Sequence, residues 1–240
     1  MIICVHVERT AGSSIHASFY QHFLRNWFIP SHLTELDGIC RSIAKSKRKN
    51  VYLGGHFGFR DLEERGLTSR SKILFSVVRE PVARLASLYN LMQRNPDWLP
   101  SLHEIVRDGT FEQFFDACLE LDLHVGNIQC QRIGGATTFE ATRDTIMEHY
   151  DILGCMEHME RFVPALEERV REFAPAFYYI PGVASNSANK VHGGISQALA
   201  DRIRADSHED VKLFEWVRDD LQGLWIRDPS AKPLARKASK

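Results

Sequence analysis

The chain has 240 residues, of which 44% are hydrophobic and 25% are charged, and its formal net charge is −1. These proportions are typical of a globular protein that buries an apolar core without metals or disulfides. The near-zero net charge excludes a global positive field that would attract nucleic acid or membrane surfaces. Any anion-binding site must therefore be local, and no nucleic-acid partner is predicted.

The cysteine and histidine patterns argue against disulfides and metal sites. Five cysteines lack CxxC spacing, which is typical of reduced thiols in the cytosol. The histidines include no HExxH or Cys/His group, so no metal is predicted. The apolar run at 1–7 is too short for a signal peptide or a membrane anchor. We therefore expect a cytoplasmic protein without a membrane anchor.

Short β-branched runs alternate with amphipathic patterns along the chain. Strands are predicted at 2–7, 51–53, 73–78 and 151–154, with a weaker one at 178–180. A helix is predicted to follow each of two strand ends, one after residue 14 and one from Pro81. The remaining segments are predicted as a polar loop at 45–50, helices and loops over 98–131, and helices over 196–221.

This alternation predicts a single α/β domain with a central parallel sheet flanked by helices, because parallel strands need right-handed crossovers. The domain is predicted to cover residues 1–229. The stretch 230–240 is basic and has little apolar content, so we predict a disordered tail.

The loop after the first strand carries donors that suit an anion. At a strand end and a helix N-terminus, backbone N–H groups and the helix dipole attract negative charge. Gly12 permits close backbone approach, while hydroxyls and Arg9 add further donors. No GxxxxGK[ST] occurs, so the loop is P-loop-like without a Walker A motif. The plain alternative is an ordinary strand–helix turn capped by Ser14. The loop residues are Arg9, Thr10, Ala11, Gly12, Ser13 and Ser14.

A second cation follows the strand at 73–78. Arg79 lies at the strand end, and Ser87 lies two turns into the next helix. If strand and helix fold back on each other, both side chains can point at one phosphate. Spacing alone favours a surface arginine and a solvated serine.

In chain order, these segments resemble the sulfotransferases that use 3′-phosphoadenosine-5′-phosphosulfate (PAPS), a family related to the heparan sulfate and bacterial carbohydrate enzymes. The segment 6–14, His-Val-Glu-Arg-Thr-Ala-Gly-Ser-Ser, is similar to the HIPKTAGTS signature of that family. The segment 75–89 is similar to its FxxVRDPVxRxxSxY stretch, and 55–59 to its GHxxF segment. Weaker similarities at 127–132, 153–162 and 210–214 follow in the expected order.

The resemblance implies transfer of a sulfuryl group from PAPS to an acceptor hydroxyl, leaving 3′-phosphoadenosine-5′-phosphate (PAP) and needing no metal. A sugar or polysaccharide is the implied acceptor, with a tyrosine or a small metabolite as alternatives. The loop 9–14 would hold the 5′-phosphosulfate, with Arg9 catalytic, and Arg79 and Ser87 would hold the 3′-phosphate. Arg132 would be a further cofactor-binding residue, and His56 would be the catalytic base.

Glu8-Arg9 stands where the family has Pro-Lys. Glu8 puts a negative charge near an anion site unless its side chain points away. Arg9 can replace the lysine only if its planar guanidinium group fits the position of the lysine ammonium group. A PAP-binding protein with impaired catalysis is therefore an alternative. A small-molecule kinase is another, although a Walker A lysine and a Mg²⁺-binding carboxylate are not apparent. Glu80 or Glu157 could serve as the base instead of His56.

Overall fold

The computed structural model describes residues 1–30, 32–46, 50–181 and 194–228. Within them, one sheet has the strand order β2-β3-β1-β4-β5-β6, and every neighbouring pair is parallel except β5 and β6. This confirms the predicted α/β fold with a mostly parallel central sheet flanked by helices. The strands are β1 (Ile2–Val5), β2 (Trp27–Phe28), β3 (Tyr52–Gly55), β4 (Ile73–Val78), β5 (Ile152–Cys155) and β6 (Leu224–Ile226).

The α-helices of the described residues fall between and after the strands. They are α1 (Gly12–Phe23), α2 (Leu33–Ser46), α3 (Phe59–Glu64), α4 (Pro81–Arg94), α5 (His103–Asp108), α6 (Phe111–Glu120), α7 (Ile128–Gly134), α8 (Phe139–His149), α9 (Met159–Arg171), α10 (Gln197–Asp206) and α11 (His208–Glu215).

Alternate residues of the central strands face two apolar layers. Ile3, Val5 and Leu74 pack with α3, α8 and α11 on one face, whereas Cys4 and Phe75 pack with α1 and α9 on the other. Because both faces are covered, these strands are almost wholly apolar rather than alternating, which is typical of parallel sheets. A third cluster joins α4, α5, α6 and α10 beside the sheet.

The strand order explains where a site can form. β1 lies between β3 and β4, and the chain leaves β1 first towards the β3 side and later towards the β4 side. In open α/β sheets, ligands bind at such a switch point, outside the carboxyl ends of the strands. The segments that follow β1, β3 and β4 therefore meet at one edge of the sheet.

The predicted strand at 178–180 is wrong. The backbone N–H groups of Tyr178, Tyr179 and Ile180 donate to side chains instead of to a neighbouring strand. The acceptors are His22 Nε2 at 3.4 Å, Glu167 Oε1 at 2.6 Å and Ser18 Oγ at 2.8 Å. Side chains of α1 and α9 thus accept the hydrogen bonds of these backbone N–H groups, so the segment does not need to pair with a neighbouring strand.

The structure also differs from the prediction at the loop 45–50 and in two short strands that were not predicted. The start of the predicted polar loop at 45–50 belongs to α2, which ends at Ser46. The strands β2 and β6 have two and three residues, too few for a recognisable period. The predicted domain limit at 229 and the tail at 230–240 lie outside the described residues.

Candidate active site

The loop between β1 and α1 has an unusual backbone. Arg9 has φ 72° and Ala11 has φ 65°, both in the left-handed region. Left-handed residues within a turn aim successive N–H groups to one side, and such a concavity binds anions. The buried Thr10 hydroxyl donates to the Val7 carbonyl at 2.8 Å and stabilises the turn. Non-glycine residues hold this conformation only where the surroundings fix it, and this occurs most often at functional sites.

Gly12 begins α1 and lies against the imidazole of His6. A Cβ atom added at Gly12 would lie 1.9 Å from His6 Cε1, so the glycine is needed for close contact with this ring. The His6 ring is in turn 4.6 Å from the His56 ring and 5.0 Å from the His16 ring, measured between centroids. We call the segment 9–14 the anion loop. His6 therefore lies between the anion loop and the residues that follow β3.

Replacing Gly12 by alanine is expected to destabilise the protein by about 1–3 kcal/mol, because the new methyl group overpacks against His6. Gly38→Ala in α2 is the matched control, since a Cβ there meets nothing within 4 Å. An alanine at that helical position should stabilise by about 0.5–1 kcal/mol. Denaturant unfolding measures both variants, and a Gly12→Ala protein as stable as the wild type would contradict this packing.

The two predicted phosphate motifs meet in the structure. Arg9 Nε donates to Ser87 Oγ at 3.0 Å, and Arg79 Nη1 donates to the Arg9 carbonyl at 3.1 Å. Both Ser87 and Arg79 are buried. Burial lowers the pKa of Arg79 against the raising effect of Glu157, and the charge of Arg9 lowers it further. An anion between the two guanidinium groups would relieve their repulsion.

Gln129 fixes the backbone of Arg79, a role that the sequence did not reveal. Its Oε1 accepts the Arg79 N–H at 2.9 Å and its Nε2 donates to the Arg79 carbonyl at 2.9 Å. Asp210 accepts the N–H groups of Gln129 at 2.9 Å and Cys130 at 2.8 Å. Burial raises the pKa of Asp210 to about 6, against these two hydrogen bonds. The Asn127 side chain completes the link by accepting from the N–H groups of Glu209 and Asp210.

His56 follows β3 and lies beside β1. Its Nδ1 is 3.2 Å from the His6 carbonyl oxygen and 3.5 Å from Glu8 Oε1. The side chain is 44% exposed, in contrast to the buried His6. The ring is thus accessible, and the His6 ring lies between it and Gly12 of the anion loop.

Arg132 lies with His56 rather than with Arg79 and Ser87. Its Nη2 is 3.6 Å from Glu8 Oε1, and its Nη1 donates to the His56 carbonyl. Its predicted role in cofactor binding stays a prediction.

The remaining candidate residues are Ser13 and Ser14 of the loop and the two alternative bases, Glu80 and Glu157. Ser13 is exposed in the first turn of α1, and the Ser14 carbonyl accepts the Ser18 hydroxyl at 2.8 Å. Glu80 caps α4 by accepting the Ala83 N–H at 2.7 Å, and it accepts from Arg204 at 3.0 Å. These contacts occupy the Glu80 carboxylate, whereas Glu157 is exposed.

Two features are absent from the described residues, a metal-binding cluster and a membrane-spanning helix. Over 1–30, 32–46, 50–181 and 194–228, His, Cys, Asp and Glu side chains form no group of three or more that could hold a metal ion. In the same residues, every helix is too short or too polar to cross a membrane.

Comparisons with known proteins point to one group of enzymes. No protein-family model matches the chain. The chain is 24% identical over 200 residues to heparan sulfate 2-O-sulfotransferase 1 of Xenopus laevis and to that of Gallus gallus, and 22% identical to that of Homo sapiens. Each comparison covers 72% of this chain and 55% of the relative, so the chain spans about half the length of the curated relatives it matches.

The comparison corrects one prediction and supports another. The predicted cytoplasmic location is contradicted, because the heparan sulfate 2-O-sulfotransferases are Golgi enzymes. The α/β architecture agrees with a sulfotransferase fold. Sequence similarity and fold together support a relationship between this chain and the sulfotransferases.

Proposed function

We propose that this protein transfers the sulfuryl group of PAPS to a hydroxyl group of a carbohydrate. One observation carries the proposal: Arg9, which follows β1, contacts both Ser87 and Arg79, which follow β4. Similarity to heparan sulfate 2-O-sulfotransferases supports the reaction class and the sugar acceptor.

In this proposal, the loop 9–14 holds the 5′-phosphosulfate of the donor. The left-handed Arg9 and Ala11 and the N-terminus of the 12-residue helix α1 present backbone N–H groups to it. Arg79 and Ser87 hold the 3′-phosphate, since a buried guanidinium forms strong charge-assisted bonds with phosphate oxygens.

Transfer then follows from positioning and charge stabilisation. The acceptor oxygen forms a bond to sulfur, and the bond between sulfur and the 5′-phosphate oxygen breaks. The electron pair of that bond stays on PAP, where Arg9 and the loop N–H groups stabilise the charge. His56 takes the proton of the acceptor hydroxyl, because a neutral imidazole accepts a proton near neutral pH.

Nucleotide binding tests the proposal by calorimetry at fixed salt. PAP differs from AMP only by its 3′-phosphate, so PAP should bind at least about 30-fold more tightly than AMP, and also more tightly than ATP. Equal affinities for PAP and ATP would contradict the sulfotransferase function and favour a kinase.

Turnover with labelled PAPS then separates an enzyme from a PAP-binding protein. Polysaccharides, simple sugars and tyrosine peptides are tested in parallel as acceptors. Sulfation of a sugar supports the proposal, sulfation of a peptide alone corrects the acceptor, and tight PAP binding without any turnover supports the binding protein.

A further inference from the structure

The Glu8 carboxylate points away from the anion loop although Glu8 directly precedes it. Glu8 is buried, and its Oε1 lies 3.5 Å from His56 Nδ1 and 3.6 Å from Arg132 Nη2. The side chain that would conflict with a bound anion therefore faces the residue proposed as the base.

The contacts of His56 define its hydrogen positions. Its Nδ1 faces two acceptors, the His6 carbonyl oxygen at 3.2 Å and Glu8 Oε1 at 3.5 Å. Nδ1 must therefore carry the proton, and Nε2 of the neutral ring carries the lone pair. A general base needs such a free nitrogen on a ring that a substrate can reach.

We propose that Glu8 and His56 form a carboxylate–imidazole dyad in which Glu8 is the positioning residue. Glu8 holds His56 in the Nδ1-protonated form and stabilises the imidazolium that forms when Nε2 takes the acceptor proton. This inference rests on the proposed function, in which His56 is the base.

The surroundings keep Glu8 charged. Burial by itself would raise the pKa of Glu8, but His56, Arg132, a backbone hydrogen bond and His124 outweigh it, so the pKa is lowered. The buried Arg84 adds a further positive charge near this carboxylate. Glu8 Oε2 has no hydrogen-bond partner among the described residues. The carboxylate can therefore still accept a hydrogen bond from a charged imidazolium.

The other histidines near His56 are buried or half-buried and disfavour a positive charge. Burial is the main reason that the pKa of His6, His16 and His124 is lowered, to about 4 for His16, although Glu8 by itself raises that of His124. Among the imidazoles in this cluster, His56 is the most accessible to an acceptor. The groups that face His56 are Glu8, Arg132, His6, His16 and His124.

The test is Glu8→Gln, which keeps the side-chain size and removes the charge. Turnover should fall by about 10–100-fold, and PAP affinity should stay within about twofold of wild type. The loss should fall on turnover and not on PAP binding, a division that a purely structural role would not produce.

Glu148→Gln is the matched control. Glu148 Oε1 lies 3.7 Å from His149 Nε2, and Glu148 is in the last turn of α8, shortly before β5. This variant loses the same charge beside a histidine, and turnover should match the wild type. Equal effects of Glu8→Gln and Glu148→Gln would overturn the dyad.

Nitrogen NMR of the His56 ring gives a readout that does not depend on turnover. Wild-type His56 should be in the Nδ1-protonated form, and an Nε2-protonated ring would overturn the dyad even if Glu8→Gln fails to fold. Loss of PAP affinity in Glu8→Gln would instead assign Glu8 to the anion loop and contradict the inference. If the wild type does not turn over PAPS with any acceptor, the proposed function fails, while the NMR result still decides the hydrogen positions.

Discussion

His56→Asn is expected to reduce turnover of PAPS by about 10²–10⁴-fold, the contribution of a general base, while PAP affinity stays near the wild-type value. The ring is 44% exposed, its Nδ1 faces two acceptors, and His6 separates it from Gly12. Asparagine can keep the hydrogen bond to the His6 carbonyl but cannot take a proton. The loss should therefore fall on the chemical step rather than on nucleotide binding.

His22→Asn is the control for this experiment. His22 lies in the last turn of α1, about 15 Å along the helix axis from Gly12 at 1.5 Å per residue. Steady-state turnover and PAP calorimetry should both stay at wild-type values for this variant. If His56→Asn turns over PAPS as fast as the wild type, the base is another group, and the exposed Glu157 is the next to replace.

Arg79→Ala is expected to weaken PAP binding by about 2–5 kcal/mol, because it removes a buried guanidinium from the 3′-phosphate. Gln129 holds the Arg79 backbone through two hydrogen bonds, so the side chain is positioned before the ligand arrives. Ser87→Ala should have a smaller effect of about 0.5–1.5 kcal/mol, since it removes one neutral donor.

The affinity of Arg79→Ala for AMP shows which phosphate of the nucleotide Arg79 binds. Because AMP lacks the 3′-phosphate, Arg79→Ala should change AMP binding little and reduce the preference for PAP. An equal loss for PAP and AMP in calorimetry at one salt concentration would place Arg79 at the 5′-phosphate instead. Arg107→Ala, which breaks an exposed pair with Asp108 on α5, is the control for a general loss of positive charge.

Local sequence patterns predicted the central strands because each is a short, wholly buried apolar run. β4 matches its predicted limits, 73–78. Prediction failed where distant side chains decide the backbone conformation. The segment 178–180 is satisfied by α1 and α9, and no local period records such partners.

In the candidate site too, local motifs predicted some residues, whereas contacts between residues far apart in the chain were not predicted. The loop after β1 was predicted as a site because glycine, hydroxyl and arginine side chains beside a helix N-terminus suit an anion, and the residues after β4 were predicted from the family resemblance. The supports of those residues were missed. Gln129 contacts Arg79 across 50 positions, and Asp210 contacts Gln129 across 81. The orientation of Glu8 likewise depends on Arg132, which lies far along the chain.

The link from Arg79 through Gln129 to Asp210 bears on the order in which the protein can mature during synthesis. The strands β1, β3 and β4 and the anion loop have all been made once the first 80 residues are translated. Asp210, which holds the N–H groups of Gln129 and Cys130, is added far later. A growing chain can therefore assemble its central strands early, but Arg79 gains its complete support only after α11 has left the ribosome. Until then, the nascent protein lacks part of the framework that positions this arginine.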